Sequence, residues 1–356
     1  MLILNIIAAV SLLLACLCCF VSPKTVWWIG FFGLAYMYLL VTNICFVVFW
    51  LLSRKMLYVV IFTVTILIGW TFIGKNVQIF EKIISDEQLS ESFKILSFNV
   101  QGFLQMNNYQ PDGKNLNMFD FFRDKDPDIL CMQEFATDRR RNIDEKYINK
   151  ELDKLKHSHI ILSKGDYSGV ATFSKYPIIR KDLVYDDKTN NTCISSDIVI
   201  GKDTVRVYNV HLKSVGFDND EKHLLNNTVK MSYDESDIHT VKSIIRNLKK
   251  SALEREKQVE ILSSHIAQSP YPVVICGDFN DPPTSYSYRK VRENRKDAFI
   301  EAGSGRSATY NIGSIASLRI DYIMSSEVFD TYNYESPRVY VSDHFPVMCR
   351  LVRNEK

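Results

Sequence analysis

Six strand edges in this 356-residue chain carry side chains that can do chemistry. In residues 93–99, Phe93, Ile95, Ser97 and Asn99 share one face at period two, so an apolar strand closes on an amide. The run Asp128-Ile129-Leu130-Cys131-Met132-Gln133-Glu134 closes on a carboxylate. Val205, Val207, Asn209 and His211 share a face that passes from apolar to an amide and an imidazole. After Val273-Val274-Ile275-Cys276 come Gly277-Asp278-Phe279-Asn280, with Asp278 and Asn280 at i and i+2. Asp321 follows Arg319-Ile320, and Asp343-His344 precedes the last strand. Carboxylates, carboxamides and imidazoles are the groups that ligate hard cations, move protons and hydrogen-bond oxyanions. Each has a plainer explanation when taken alone. A Gly-Asp-x-Asn is ordinarily a turn, an Asp-His pair a capping contact, Glu134 a solvated carboxylate and His211 a satisfied core histidine. Their occurrence together and in this order favours chemistry.

Short apolar strands alternating with helical or loop segments position these groups, which indicates an α/β class. Residues 128–135 and 272–276 are apolar runs of strand length, and 169–173, 204–212, 319–324 and 346–352 read the same way. Between them Ile238, Val241, Ile245, Leu248 and Ala252 recur at steps of three and four, which marks an amphipathic helix in a charged insertion, 217–250, whose polar face is solvated. No internal repeat or low-complexity tract interrupts the pattern.

The joint set of motifs resembles the endonuclease/exonuclease/phosphatase superfamily, the deoxyribonuclease I-like metal-dependent phosphoesterases, over roughly residues 93–352. The residues that carry the resemblance are Ser97-Phe98-Asn99, Gln133-Glu134, the run from Gly169 to Ile178, Asn209-Val210-His211, Gly277-Asp278-Phe279-Asn280, Arg319-Ile320-Asp321-Tyr322 and Ser342-Asp343-His344-Phe345-Pro346. It implies a four-layer α/β/β/α sandwich with an active site at one end of the strands. Glu134 is then the leading metal ligand, with Asn99 beside it and Asp343 completing the site. Oxygen ligands without a Cys/His cluster suit Mg²⁺ or Mn²⁺. By the same resemblance Asp278 orients and deprotonates the attacking water, and His211 and Asn280 donate to the non-bridging oxygens. Asp321 holds a protonated His344 against the phosphate, and Asn209 supports His211. Metal and acid/base duties of Asp278 and Asp343 can be exchanged or shared. Phe135-Ala136-Thr137 after Glu134 departs from the exonuclease III-like pattern, and Asp281-Pro282-Pro283 from that of inositol polyphosphate 5-phosphatases. The expected partner is therefore a phosphoester left open among nucleic acid, a sphingomyelin-like or phosphoinositide head group and a small phosphoester. A catalytically inactive scaffold of the same fold is the remote alternative. No obligate protein partner is evident.

Composition divides the chain. Residues 1–80 contain four charged side chains, Lys24, Arg54, Lys55 and Lys75, and no Asp or Glu. The remainder holds 39 Lys and Arg against 41 Asp and Glu, so a whole-chain net charge of +2 averages a basic segment with a slightly acidic domain. This excludes a strongly basic nucleic-acid binder and a disordered chain, although one local basic rim would suffice to grip nucleic acid. Arg139-Arg140-Arg141 could grip phosphates and is more simply a solvated loop. The basic residues delimit three uncharged stretches, 1–23, 25–53 and 56–74, of 23, 29 and 19 residues. Each is long enough to span a bilayer core of about 30 Å as a helix. Trp27, Trp28, Trp50 and Trp70 lie near the inferred ends, where aromatic rings anchor.

Three transmembrane helices are expected in 1–74, then a linker, 75–92, and a catalytic domain, 93–352, with the lipid bilayer as partner of the first part. Leu13-Leu14-Ala15-Cys16 resembles a lipoprotein cleavage box, but the stretch lacks a basic start and two more apolar stretches follow. Arg54 and Lys55 favour a cytoplasmic second loop, and Lys24, Lys75 and Lys82 oppose it. The balance places the catalytic domain outside the cytoplasm, on a bacterial cytoplasmic membrane. Cys16, Cys18, Cys19 and Cys45 lie in the apolar stretches, whereas Cys131, Cys193, Cys276 and Cys349 are single buried thiols without zinc-site spacing.

Overall fold

A strand that is apolar on both faces has to be covered twice, because successive side chains point to opposite sides. The computed structural model describes residues 1–85, 92–138, 143–163, 168–187, 191–216, 235–312 and 316–354. Among them, twelve strands form two six-stranded sheets. In chain order these are β1 (Ser92–Asn99), β2 (Ile129–Ala136), β3 (His157–Leu162), β4 (Ser168–Ser174), β5 (Ile178–Asp186), β6 (Thr192–Ile200), β7 (Asp203–His211), β8 (Val273–Asp278), β9 (Lys296–Asp297), β10 (Asp321–Ser325), β11 (Phe329–Glu335) and β12 (Val347–Arg353). One sheet runs β11-β12-β1-β2-β4-β3 and the other β9-β10-β8-β7-β6-β5. Each contains one parallel pair, β1 with β2 and β7 with β8, so the carboxyl ends of four central strands point the same way within each pair.

The inner faces pack on each other. Ile95, Ile129, Cys131 and Cys349 of the first sheet meet Val205, Val207, Val274 and Cys276 of the second. On the outer side of the first sheet, Leu96, Phe98, Leu130 and Met132 pack against Phe119 and Phe122 of helix Met118–Lys125. Beyond the second, Tyr208, Val210, Ile275 and Met324 bury Val259, Leu262 and Ile266 of helix Glu235–Ala267. The result is the expected sandwich of helix, sheet, sheet and helix. Burying both faces of the central strands is the dominant stabilising contribution, at about 25 cal/mol per Å² of apolar surface. The helix expected from Ile238 to Ala252 is the first half of Glu235–Ala267. Residues 217–234 of the insertion and the run Arg139-Arg140-Arg141 lie outside the described residues. All eight cysteines are free, and Cys131, Cys193, Cys276 and Cys349 are buried.

The N-terminal segment corrects the expectation of three transmembrane helices. Among the described residues one continuous helix, Leu2–Phe20, is long and apolar enough to cross a membrane. The second stretch is broken: Pro23–Leu34 and Tyr36–Leu52 meet at 58°. Its first half is held elsewhere. The Thr284 hydroxyl donates to the Gly33 carbonyl at 2.8 Å, and Glu256 accepts from the Lys24 backbone N–H at 2.8 Å and from the Ser22 hydroxyl. The third is interrupted at Gly69, whose carbonyl accepts from the Tyr36 hydroxyl at 2.9 Å. That leaves Met56–Ile68, 13 residues or about 20 Å of helix, against about 30 Å of hydrocarbon. Trp50 Nε1 to Asn5 Oδ1 (2.8 Å) and Asn43 Nδ2 to the Ala8 carbonyl (3.0 Å) tie the helices together. Their outward faces, including Ile3, Ile7, Val41, Val48, Val60 and Leu67, are exposed and apolar. In 75–85, Val77–Gln78 pairs with Gly305–Arg306, and the Asn333 N–H donates to the Lys82 carbonyl at 2.8 Å.

One buried histidine makes the sandwich acid-sensitive. His159 on β3 faces Ser196 of the other sheet, with Nδ1 2.9 Å from its Oγ. Burial, aided by Lys181, lowers its imidazole from 6.5 to about 4. The folded state therefore holds it neutral while the unfolded chain takes up a proton, so stability is complete above pH 6.5 and declines as pH falls toward 4. The full difference is about 3 kcal/mol. Denaturant titrations of the full-length protein at several pH values should show this loss in the wild type and a smaller one in His159→Gln. Equal slopes would contradict it.

Candidate active site

The interior of the sandwich changes character toward one end. Along β1, Ile95 and Ser97 give way to Asn99; along β2, Ile129 and Cys131 give way to Gln133. Along β7, Val205 and Val207 give way to Asn209 and His211, and along β8, Val274 and Cys276 give way to Asp278. Register places His211 beside Asp278 and Asp278 beside Asp321. Asn99, Gln133, Asn209, His211, Asp278 and Asp321 are all buried. Unpaired polar groups at such depth are costly, so their partners define the site.

Two backbone devices aim the side chains. Glu134 does not end its strand, which continues to Ala136; it is the extra residue of a bulge, since Gln133 and Phe135 pair with the adjacent residues Val170 and Gly169. Its φ of 49° is left-handed. Without the bulge, Phe135 would face the other sheet; with it, Phe135 joins the outer core and Glu134 is free to face the site, a third exposed. Asn280 likewise has a φ of 51°. The approach to Asp278 requires glycine. Gly277 has a φ of 147°, and a Cβ there would stand 1.9 Å from the Val210 carbonyl oxygen.

Hydrogen bonds lock the two sheets together at this end. Asn99 Nδ2 donates to Glu134 Oε1 and to Asp278 Oδ2, both at 3.1 Å, while its Oδ1 accepts from the Gln101 N–H. Gln133 Nε2 donates to Asn209 Oδ1 at 2.8 Å, and Asn209 Nδ2 donates to the carbonyls of Ala171 and Met132 at 2.9 and 3.1 Å. Asp278 Oδ1 accepts from the Asn280 N–H at 2.8 Å, and Asn280 Nδ2 donates to the Leu212 carbonyl at 3.1 Å and to Asp278 Oδ2 at 3.2 Å. His211 Nε2 lies 3.7 Å from both Glu134 Oε1 and Asp278 Oδ2.

His344 closes the far side. Its Nδ1 is 3.0 Å from Asp321 Oδ2, and its Nε2 is 3.7 Å from Asp278 Oδ2. Burial opposes a charged imidazole, but the carboxylates of Asp321 and Asp278 outweigh it and raise His344 to about 10. Burial together with Asp278 raises Asp321 to about 6, against the pull of His344. The two share one proton, and across the neutral range it stays on the imidazole. Asp343 is exposed at the rim, yet the chain packed round it and the charges of Glu134 and Asp278 raise its carboxyl, with His344 opposing. Asp278, Asp321 and His344 also form a group whose candidate ligand atoms lie within 4.8 Å of one another.

All nine residues singled out from the sequence therefore belong to one region. Asn99 presents its amide nitrogen to the carboxylates, and so braces Glu134. Sequence reasoning gives no site role to three further residues. Gln133, next to Glu134, carries the bond between sheets. Thr309 Oγ1 accepts from the N–H groups of Ile320 and Asp321. The ring of Tyr310 lies 4.7 Å from that of His344, and its hydroxyl is raised to about 12 by burial and by Asp343, Asp278 and Glu134. Gln133 was legible from its inward period-two position; Thr309 and Tyr310 have no comparable signal.

A family model described as the endonuclease/exonuclease/phosphatase family matches residues 96–344. A second, described as a domain of unknown function, matches residues 1–76. No curated protein matches the chain. Among solved structures, an endonuclease/exonuclease/phosphatase from Beutenbergia cavernae is 15% identical, with a TM-score of 0.50 over 74% of this chain and 72% of that one. A humanized D. rerio TDP2 is 13% identical, with a TM-score of 0.51 over 73% of this chain and 99% of that one. At these identities the likeness is one of fold.

The shared proton can be observed directly. In metal-free protein, the His344 imidazole followed by NMR should stay protonated through neutral pH and titrate near 10. Asp321→Asn should move its titration down toward neutrality. An ordinary titration in the wild type would contradict the pairing.

Proposed function

The chain belongs to the endonuclease/exonuclease/phosphatase family, and from that premise we propose a membrane-anchored, divalent-metal-dependent phosphoesterase. Its reaction class is phosphoester hydrolysis; the proposal is that a phosphodiester or phosphomonoester is cleaved by in-line attack of an activated water. The observation that carries it is the convergence of Glu134, Asp278, Asp321 and Asp343 with His211 and His344 at the carboxyl ends of the parallel strand pairs.

The donor set fits a hard cation. Glu134 is partly exposed, Asp343 is at the rim with its proton affinity raised by the chain packed round it and by neighbouring carboxylates, and among the described residues neither has a basic side chain as hydrogen-bond partner. Glu134 and Asp343 would hold Mg²⁺ or Mn²⁺, with Asn99 bracing Glu134 and able to share in ligation. Bound there, the ion would polarise the phosphoryl group and stabilise the leaving oxygen. Asp278, fixed by Asn99 and Asn280, orients the water and takes its proton. His211 and Asn280 donate to the non-bridging oxygens. His344, held charged by Asp321, sets an imidazolium against the phosphate, and Asn209 keeps β7 in place behind His211. These donors act most strongly as charge develops in the transition state.

The exposed apolar faces of the N-terminal helices support anchoring through residues 1–74, with 75–92 as linker and 93–352 as catalytic domain. Arg54 and Lys55 sit in the turn between Leu52 and Met56, which supports placing that turn in the cytoplasm.

Full-length protein in detergent should hydrolyse bis(p-nitrophenyl) phosphate with Mg²⁺ and stop when EDTA is added. Glu134→Gln and Asn280→Ala should each lower kcat by about 10²–10³. Melting temperatures serve as the control for folding. Wild-type rates in Glu134→Gln would overturn the assignment.

A further inference from the structure

The N-terminal helices do more than tether the catalytic domain, because they pack onto the turn that carries Asn280. Thr284, four residues on, holds the Gly33 carbonyl, and the guanidinium of Arg289 lies 4.4 Å from the Phe20 ring. Lys249 of the long helix stands over Trp27 at 5.2 Å. Between these contacts is a mainly apolar cavity. Trp27, Phe31 and Leu34 line one side, and Leu248, Ala252 and Pro282 the other. Arg255 and Asp281 form its polar end. Arg255 Nε is 3.1 Å from Asp281, and its Nη1 donates to the Lys213 carbonyl at 2.8 Å. Asp281 follows Asn280 and Lys213 is two residues past His211, so the cavity and the active site share a wall.

The first half of helix Glu235–Ala267 extends this surface outward. This half of the helix contains Lys242, Arg246, Lys249 and Lys250 against Glu235 and Asp237 at its start, so residues 238–252 are locally basic. Ile238, Val241 and Ile245 fall on the same helical stripe as Leu248 and Ala252, and are 52%, 41% and 40% exposed. An apolar stripe flanked by basic side chains is the composition of a helix lying in a membrane interface. Here the stripe leads from the apolar outer surface near Trp27 and Trp28 into the cavity. Trp28 is itself 46% exposed.

On the phosphoesterase reading, which this inference requires, we propose that the substrate is a membrane lipid phosphoester. The cavity, about 50 Å³, takes only a methylene or two of its hydrocarbon between the Trp27–Leu34 side chains and the long helix; the rest of the chain lies along the exposed stripe, and the phosphate lies at the site beyond Arg255. The 238–252 segment rests on the bilayer surface, with its lysines and arginine facing anionic head groups. The occupant follows from continuity with the apolar helices and from charge complementarity.

The test uses full-length protein in vesicles of phosphatidylglycerol, phosphatidylethanolamine, sphingomyelin and a polyprenyl diphosphate, with ³¹P NMR reporting lipid cleavage in Mg²⁺. Bis(p-nitrophenyl) phosphate and a DNA oligonucleotide are assayed in parallel. The expected result is cleavage of a lipid at least about tenfold faster than the oligonucleotide per phosphodiester. Ala252→Val, which fills the cavity, and Ile245→Glu, at an exposed position, should each lower lipid turnover about tenfold and leave the soluble diester within about twofold of wild type. Cleavage of the oligonucleotide and soluble diester with all four lipids intact would overturn the lipid proposal and leave the phosphoesterase reading standing. Lipid turnover unaffected by both variants would overturn the cavity and stripe. Loss of every activity in the wild type would instead overturn the phosphoesterase reading.

Discussion

Four carboxylates gathered round one recess are the constraint on which this structure turns. Glu134, Asp278, Asp321 and Asp343 repel one another, and low-dielectric surroundings strengthen the repulsion. Among the described residues, the cation facing them is His344, whose imidazole the cluster holds protonated. One imidazolium offsets part of the charge. The surplus is what makes a divalent cation the natural complement of the proposed site, and it explains why the chain fastens this end so firmly.

The fastening is done by neutral amides. Asn99 holds Glu134 within its own sheet and reaches across to Asp278, and Gln133 reaches across to Asn209, so two of these bonds join one sheet to the other. Amides bring donors to buried carboxylates without adding charge, and thereby leave the electrostatic surplus in place. The bulge at Glu134 and the left-handed Asn280 turn side chains into the recess that regular strands would send elsewhere. Below this layer the inter-sheet core is apolar, and its packing sets the spacing that the polar layer uses.

Much of this could be read from period-two patterning. A strand whose inward positions run Val205, Val207, Asn209, His211 announces both its buried face and the end at which that face becomes polar. The same holds for Asp278 and Asn99. The bulge was not legible, because an extra residue leaves no mark on composition; Glu134 was found by its neighbours and misplaced as a strand terminus. Thr309 and Tyr310 reach the site at the start of a short strand, Tyr310–Ile312, paired with Ala316–Leu318, whose placement depends on the finished sandwich. Apolar length alone also overstated the membrane helices. Docking of Ser22, Lys24 and Gly33 onto Glu256 and Thr284 diverts the first half of the second stretch, a tertiary contact that hydropathy does not encode.

The central claim is that the carboxylate cluster binds a divalent cation through Glu134. It is tested most directly without any substrate, by titrating Mn²⁺ into the metal-free full-length protein and following free ion by electron paramagnetic resonance. The account predicts saturable binding that Mg²⁺ displaces and that Glu134→Gln weakens sharply in a protein of unchanged melting temperature. No saturable binding in the wild type, or equal binding by the variant, would contradict it.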